Sequence, residues 1–343
     1  MTLSKSSLES AAEEGLLEPH QVDPLYEYLR SVPAGGPRFD FTHVLYYLGG
    51  LIAIGALTVF MNLGWEQFGG WGILFICLLY AGAGLEITNR FRNAGRDIPA
   101  GICGAFVIAL TPLAVYGFQQ GMGWWPANVE YRDYHRYIKF LWIYMELGTL
   151  FVGAVMLWRY RYPFLVMPIA ATLWYMSMDI AELIAGDVFS YRERAVITMW
   201  FGLGMMLLAL WVDIRSRRTL DYAFWLYLFG VMAFWGGMTS QDSDSELAKF
   251  LYFCINLSLI TVGVILVRKV FVVFGALGAC IYLGHLANEV FRDSWLFPVA
   301  LTLVGAAVIY LGVLWQKNEA AITLSARQYL PLQIRELLEG RSI

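Results

Sequence analysis

The sequence predicts an all-α fold, a polytopic bundle of about ten transmembrane helices with small cytoplasmic helical segments at both termini. Hydrophobic residues make up 59% of the 343 residues, the mean hydropathy is +0.57, and only 15% of the residues are charged. About a quarter of the residues of a soluble globular domain are charged, so this composition indicates a membrane protein. Long apolar runs also recur along the chain, separated by short polar turns.

Residues 1–40 are polar and are predicted to form a cytoplasmic helical pair followed by a linker. Pro19 is expected to separate the two short helices. The Pro- and Gly-rich stretch 31–37 then serves as the linker. Because the first long apolar run begins only at Phe41, no cleavable signal peptide is expected, and the first span itself directs insertion.

The transmembrane domain is predicted over residues 41–316, because roughly 20 apolar residues are needed to cross the hydrocarbon core. The ten expected spans, numbered in chain order, cover 41–63, 68–88, 98–118, 138–158, 163–184, 194–214, 221–239, 247–267, 270–290 and 294–316. Span 3 contains Thr111-Pro112, which is expected to free a backbone carbonyl and kink its helix. Residues 317–343 are predicted to form a cytoplasmic amphipathic helix, which either lies on the inner leaflet or docks onto the N-terminal pair.

Lysine and arginine residues set the expected orientation, because loops that stay in the cytoplasm carry an excess of them. With a cytoplasmic N-terminus every short inner loop is basic. These loops carry Arg90, Arg92, Arg96, Arg159, Arg161, Arg215, Arg217, Arg218, Arg268 and Lys269. The longer outer loops are aromatic or acidic. The sequence therefore predicts a multi-pass protein of a bacterial inner membrane with both termini in the cytoplasm.

Several function classes are not expected from this sequence. The net charge is −3 and the basic residues occur in small groups between apolar runs, so no nucleic-acid partner is expected. The four cysteines lie within apolar runs without CxxC or Cys/His spacing, so neither a disulfide framework nor a metal site is predicted. Walker A, GxSxG and HExxH patterns are absent from the sequence, so no cofactor and no enzymatic activity are expected.

Ionisable side chains inside a membrane domain are costly and usually face the bundle interior. Four polar residues are expected at similar depths in the outer half of the membrane, on spans 4, 5, 8 and 9, namely Glu146, Asp179, Asn256 and His285. Tyr175 and Glu289 lie one helical turn from Asp179 and His285 and would share their faces. The pattern predicts one outward-facing polar cavity that binds a proton, a cation or another small solute. The alternative is that these groups satisfy one another and pin helix positions.

Spans 4 and 5 resemble spans 8 and 9 in sequence. Glu146-Leu-Gly-Thr-Leu-Phe-Val-Gly153 aligns with Asn256-Leu-Ser-Leu-Ile-Thr-Val-Gly263, and the same spacing continues through the basic turn of each hairpin. The alignment predicts two repeated hairpins of the same orientation. The alternative is that any two apolar hairpins with a basic turn look alike.

A set of longer segments runs along the chain: LYYLGGLIAIGAL, GWEQFGGWGI, IPAGICG, TPLAVYGFQ, MELGTL, LWYMSMD, DYAFWLYLFG, FWGG and VFGALGACIYLGHLANEVF. Together they resemble a family of predicted bacterial multi-pass membrane proteins that is defined by a domain of unknown function. The resemblance implies a multi-pass protein with a short cytoplasmic N-terminal helical module. It brings no activity, substrate or catalytic residue.

Two hypotheses about function follow. The first is an integral membrane protein that moves or senses a small solute, an ion or a proton through the polar cavity. The second is a structural or assembly protein of the bilayer whose terminal helices recruit a cytoplasmic protein partner, or that forms a homo-oligomer. A water-sized path from outside to Glu146, Asp179 and His285 would favour the first, and a dry, fully packed bundle the second.

Overall fold

The computed structural model describes residues 8–9, 12, 14–31, 44–46, 48–50, 52, 55–56, 68–125, 139–185, 191–216, 220–241, 243, 245–286, 289, 299, 302, 305–306 and 310. These residues form helices and turns and contain no strand, as the all-α prediction requires. The chain divides into two compact units, Met1–Asp40 with Arg218–Asp221 and Phe41–Arg217 with Tyr222–Ile343.

The first unit contains a short 3-10 turn, Pro19–Gln21, that leads into helix α1, Val22–Ser31. Proline suits the start of a helix because its missing N–H would have no partner there. The Glu18 N–H donates to the Gln21 side-chain oxygen at 3.2 Å, which closes the start of the turn. Residues 14–17 are turns and bends, so the chain is not helical immediately before this 3-10 turn.

The described part of the second unit contains nine α-helices. They are α2 (Gly69–Asn93), α3 (Asp97–Ala109), α4 (Thr111–Gly121), α5 (Lys139–Tyr160), α6 (Val166–Ala185), α7 (Tyr191–Arg215), α8 (Phe224–Thr239), α9 (Glu246–Ile265) and α10 (Lys269–His285). Because a helix satisfies its own backbone hydrogen bonds, long apolar runs of this kind are stable in lipid.

Six helical segments among the described residues are long and apolar enough to cross a membrane: Gly69–Asn93, Asp97–Gly121, Leu141–Tyr160, Pro163–Ile180, Arg192–Arg215 and Glu246–Ile265. Two more apolar helices, α8 and α10, are shorter. The multi-pass membrane class is supported, whereas the number of ten spans is not shown. Most residues of the first and last predicted spans lie outside the described residues, and the predicted C-terminal helix 317–343 lies entirely outside them.

The outer faces of these helices are apolar. Phe75 on α2 is 63% exposed, Phe151 on α5 is 70% exposed and Leu207 on α7 is 60% exposed. Exposed side chains of this size along several helices would be a liability in water but fit contact with lipid. At the proline expected to kink span 3 the helix is interrupted, since α3 ends at Ala109 and α4 begins at Thr111, with Pro112 in its first turn.

The helix contacts run in a simple order. Helix α2 packs against α3 and α4, α5 packs against α4 and α6, and α6 packs against α7 and α8. Helix α8 also packs against α10, which pairs with α9. The pair α7 and α8 is especially close, because a Cβ added at Gly202 would overlap the backbone nitrogen of Phe234. Helix α8 therefore connects the α5–α6 hairpin, through α6, to the α9–α10 hairpin.

Both hairpins turn through a non-glycine residue in the left-handed region, Arg161 at φ 57° and Val267 at φ 54°. The following residue is extended in each case, Tyr162 before the 3-10 turn Pro163–Leu165 and Arg268 before α10. The aligned glycines stand at different distances from these turns, since Arg161 comes eight residues after Gly153 and Val267 comes four residues after Gly263. The two hairpins share a turn geometry, but the residue-by-residue alignment does not extend through the turns.

Candidate functional site

Glu146 lies near the middle of α5 and is 5% exposed. Both of its carboxyl oxygens are buried and lack a hydrogen-bond partner at ordinary distance within the described part of the chain. The adjoining turn of α5 is fixed by Met145, which is buried, and by Thr149, whose hydroxyl donates to the Met145 carbonyl at 2.7 Å. The burial of this carboxyl group is costly, because desolvation penalises its charged form.

Asp179 of α6 faces Glu146, and the two carboxyl groups interact directly. One turn away on each helix, the rings of Trp142 and Tyr175 approach to 6.2 Å between centroids. The antiparallel packing of α5 and α6 thus places two acids and two aromatic rings at one position in the bundle. Asp179 is only partly buried, in contrast to Glu146.

The electrostatics of this carboxyl pair favour a bound positive charge. Two carboxylates at short range in a low-dielectric interior repel each other strongly. The repulsion is relieved when a proton or a metal cation lies between them. The pair can therefore hold and release a proton, or coordinate a small cation with carboxylate oxygens.

Asn256 of α9, which aligns with Glu146, has a different environment. It is fully buried, its amide donates to the Tyr252 carbonyl at 2.8 Å, and its oxygen accepts from the Trp235 indole of α8 at 3.2 Å. A Cβ added at Gly278 of α10 would overlap this amide. Asn256 therefore holds α8, α9 and α10 together.

His285, at the end of α10, meets the first residue of α9. Its Nε2 lies 3.2 and 3.3 Å from the two carboxyl oxygens of Glu246, and Lys249 donates to Glu246 at 2.8 Å. Glu289 lies beyond the end of α10 and is exposed, and among the described residues no hydrogen bond or ion pair connects it to His285.

The contacts above assign five of the six predicted site residues to three places in the fold, and Glu289 makes no contact with them among the described residues. The structure brings together Glu146, Asp179 and Tyr175 at the α5–α6 interface. Asn256 lies at the junction of α8, α9 and α10, and His285 lies at the end of the α9–α10 hairpin. One cavity shared by all of them stays a prediction.

Two groups of contacts were not predicted from the sequence. Trp142 contacts Tyr175, and Glu246 contacts His285. Trp142 could have been predicted, because it lies one helical turn before Glu146. The larger omission is a buried ion pair, in which one Arg268 nitrogen donates to both carboxyl oxygens of Asp213 at 2.9 Å. Both side chains are 7% exposed, and the Arg268 guanidinium lies 5.0 Å from the ring centre of Tyr227.

Comparison with known proteins adds no family assignment. No family model matches the chain, and no match is found among curated proteins or solved structures. Among the described residues, no group of three or more His, Cys, Asp or Glu side chains is arranged to hold a metal ion. The carboxyl pair of Glu146 and Asp179 is therefore the site from which a function is proposed.

Proposed function

We propose that this chain is an integral membrane protein that moves or senses a proton or a small cation, with Glu146 and Asp179 as the binding groups. The observation that carries the proposal is the direct interaction of these two acids between α5 and α6, with Glu146 buried. Acids inside a membrane bundle are the usual components of proton relays and cation paths.

The two acids would have different roles. Asp179 is the more exposed and is expected nearer the outer surface, so it would exchange the proton or cation with water. Glu146, with its buried oxygens, would hold the charge within the bundle. Trp142 and Tyr175 would limit the space around the pair to a small ion, since their rings lie against each other one turn away.

The proposal is tested by flux measurement with the full chain in proteoliposomes, using an imposed pH gradient and, separately, Na⁺ and K⁺ gradients. We expect wild-type protein to dissipate one of these gradients, and Glu146→Gln and Asp179→Asn to abolish that flux. Glu86→Gln is the matched control, because Glu86 is exposed and pairs with Arg90 at 2.8 Å on the surface of α2.

A sensing role is distinguished by a second readout. A sensor would show no flux, but its thermal stability would change with pH or cation concentration, and Glu146→Gln would remove that dependence. If neither flux nor ligand-dependent stability is found in wild-type protein, the carboxyl pair is a helix contact and the ion proposal fails. The same holds if Glu86→Gln and Glu146→Gln behave alike.

The proposal includes the topology expected from the sequence, with ten spans in a bacterial inner membrane and both termini in the cytoplasm. It also includes membership of the family that the chain resembles.

Membrane-impermeant maleimide tests the orientation on intact cells. Met122→Cys, at a residue that is 50% exposed, should be labelled from outside, and Ser216→Cys only after lysis, with the native chain as control. Met122 is a better position than its neighbour Gly121, where an added Cβ would lie 2.8 Å from the Trp71 ring. Labelling of both positions from the same side would contradict the topology.

A further inference from the structure

A pocket separate from the carboxyl pair lies where the C-terminal ends of α2 and α5 meet. Its lining comes from Arg92 of α2, from Trp158, Arg159 and Tyr160 of α5, and from Arg161 of the following turn. The pocket has a volume of about 250 Å³, below the range of sites for drug-sized ligands. Its size and its three arginines fit a small anion or the head of a larger molecule.

The ring of Tyr160 contacts two of the arginines in this pocket. The guanidinium groups of Arg92 and Arg159 lie 5.8 and 5.4 Å from the centre of its ring. The phenol donates to the Asn89 side-chain oxygen at 3.0 Å, which fixes the ring between α2 and α5. Two positive charges from different helices are thereby held against one ring.

The lining of the pocket is positively charged, because among the described residues it contains three arginines and no acid. None of the salt bridges between described residues involves Arg92, Arg159 or Arg161, although Arg90 on the same helix is paired with Glu86. The carboxyl group of Asp97 interacts with the Tyr162 phenol instead. Burial, and then the charge of Asp97, raise the pKa of Tyr162, so this phenol stays neutral and supplies no negative charge.

The backbone at Arg161 is constrained in an uncommon conformation. Its φ of 57° lies in the left-handed region, which is unfavourable for a non-glycine residue. The conformation is held at both ends, because the Arg161 N–H donates to the Leu157 carbonyl at 3.0 Å and the Tyr222 hydroxyl donates to the Arg161 carbonyl. The third arginine of the pocket thus has a fixed backbone position.

An apolar stripe leads from the pocket along the outer face of α5. Leu147, Phe151, Val155 and Trp158 are 50%, 70%, 47% and 74% exposed and recur every three or four residues. Such a stripe can accommodate an acyl chain whose head lies among the arginines. A free anion would gain nothing from the stripe.

We propose that this pocket binds the phosphate headgroup of an anionic phospholipid, with one acyl chain along the stripe from Trp158 to Leu147. Arginine suits this role because its planar guanidinium forms two parallel hydrogen bonds with phosphate oxygens. Basic pockets between transmembrane helices at the cytoplasmic surface are a recognised form of lipid site. In the orientation expected from the sequence, the lipid belongs to the inner leaflet.

The test uses the purified full chain in detergent, titrated with phosphatidylglycerol and with phosphatidylcholine of the same acyl chains, and bound lipid is counted by native mass spectrometry. We expect retention of phosphatidylglycerol over phosphatidylcholine, and a loss of affinity on the order of fivefold for each of Arg92→Gln, Arg159→Gln and Arg161→Gln. Arg215→Gln is the matched control, because Arg215 also lies over an aromatic ring, Trp211 at 5.5 Å, at another helix end. Circular dichroism and a melting curve establish that each variant is folded.

Two further measurements separate a lipid from a free anion. Phe151→Gln, on the stripe but outside the pocket, should weaken binding of phosphatidylglycerol, and millimolar inorganic phosphate should not displace the lipid. Displacement by inorganic phosphate, with no effect of Phe151→Gln, would assign the pocket to a soluble anion and overturn the proposal. Equal retention of the two lipids, or an equal loss in Arg215→Gln, would also overturn it.

Discussion

The hairpins α5–α6 and α9–α10 have similar sequences, but their polar residues have different partners. In α9–α10, Asn256 bonds to Tyr252 and Trp235, and Arg268 is paired with Asp213. In α5–α6, the residue aligned with Asn256 is Glu146, which faces another acid. The turn arginine of α5–α6 is likewise exposed rather than paired within the protein. Polar residues that are hydrogen-bonded or paired with an opposite charge hold helices together, whereas two facing acids and an exposed arginine are the groups at which we propose that ligands bind.

The largest effect on stability should come from breaking the buried ion pair of the second hairpin. Asp213→Asn leaves the Arg268 charge uncompensated at a site where both side chains are 7% exposed. We expect a loss of about 3–5 kcal/mol in the free energy of unfolding, measured by denaturation in mixed micelles. Adding Arg268→Met should restore much of this loss, because the buried charge is then removed.

The exposed ion pair Glu86–Arg90 on α2 is the control for the buried ion pair Asp213–Arg268. Glu86→Gln should cost less than about 1 kcal/mol, since surface ion pairs contribute little. If Asp213→Asn costs no more than Glu86→Gln, then the Asp213–Arg268 pair does not stabilise the second hairpin.

The next largest loss of stability is expected from a substitution at Gly278, which packs closely against Asn256. Gly278→Ala would place a methyl group where the Asn256 amide lies, so that the amide must move and lose its bond to Trp235. Overpacking of this kind costs about 1–3 kcal/mol. The control on the same helix is Gly284→Ala, because a Cβ there meets no atom within 4 Å. Equal melting temperatures for the two variants would contradict the packing account.

A double-mutant cycle makes the Asn256 prediction specific. Asn256→Ala alone should destabilise the protein by roughly 1–3 kcal/mol, because the Trp235 indole loses its acceptor. In the presence of Asn256→Ala, the change Gly278→Ala should cost much less than it does alone, since the space is then open. Additive effects would show that Asn256 and Gly278 are not in contact.

The membrane class and the position of the break in span 3 could be predicted because composition and a proline determine them locally. The neighbours of each helix could not, because hydropathy gives depth along a span but not which spans touch. Depth therefore identified Glu146 and Asp179 as neighbours on consecutive spans. It gave no indication that α8, one of the two apolar helices shorter than a full span, would supply Trp235 to Asn256. Arg268 was predicted only as one of the basic residues of an inner loop, since its burial depends on the left-handed turn at Val267 and on Asp213 of α7.

Glu146→Gln is expected to have the smallest effect on stability, although its expected effect on function is the largest. Glu146→Gln removes one of two facing acids and keeps the shape of the side chain, so the repulsion within the pair is lost while packing against α6 is retained. We expect the free energy of unfolding to be unchanged or slightly increased, within about 0.5 kcal/mol. Asn256→Leu, the corresponding change in the second hairpin, should instead be clearly destabilising, because the hydrogen bonds there are made within the protein. Denaturation of the two variants under identical conditions measures the difference directly. A large loss of stability in Glu146→Gln would mean that Glu146 holds α5 and α6 together as Asn256 holds its own helices, and the two hairpins would then be alike after all.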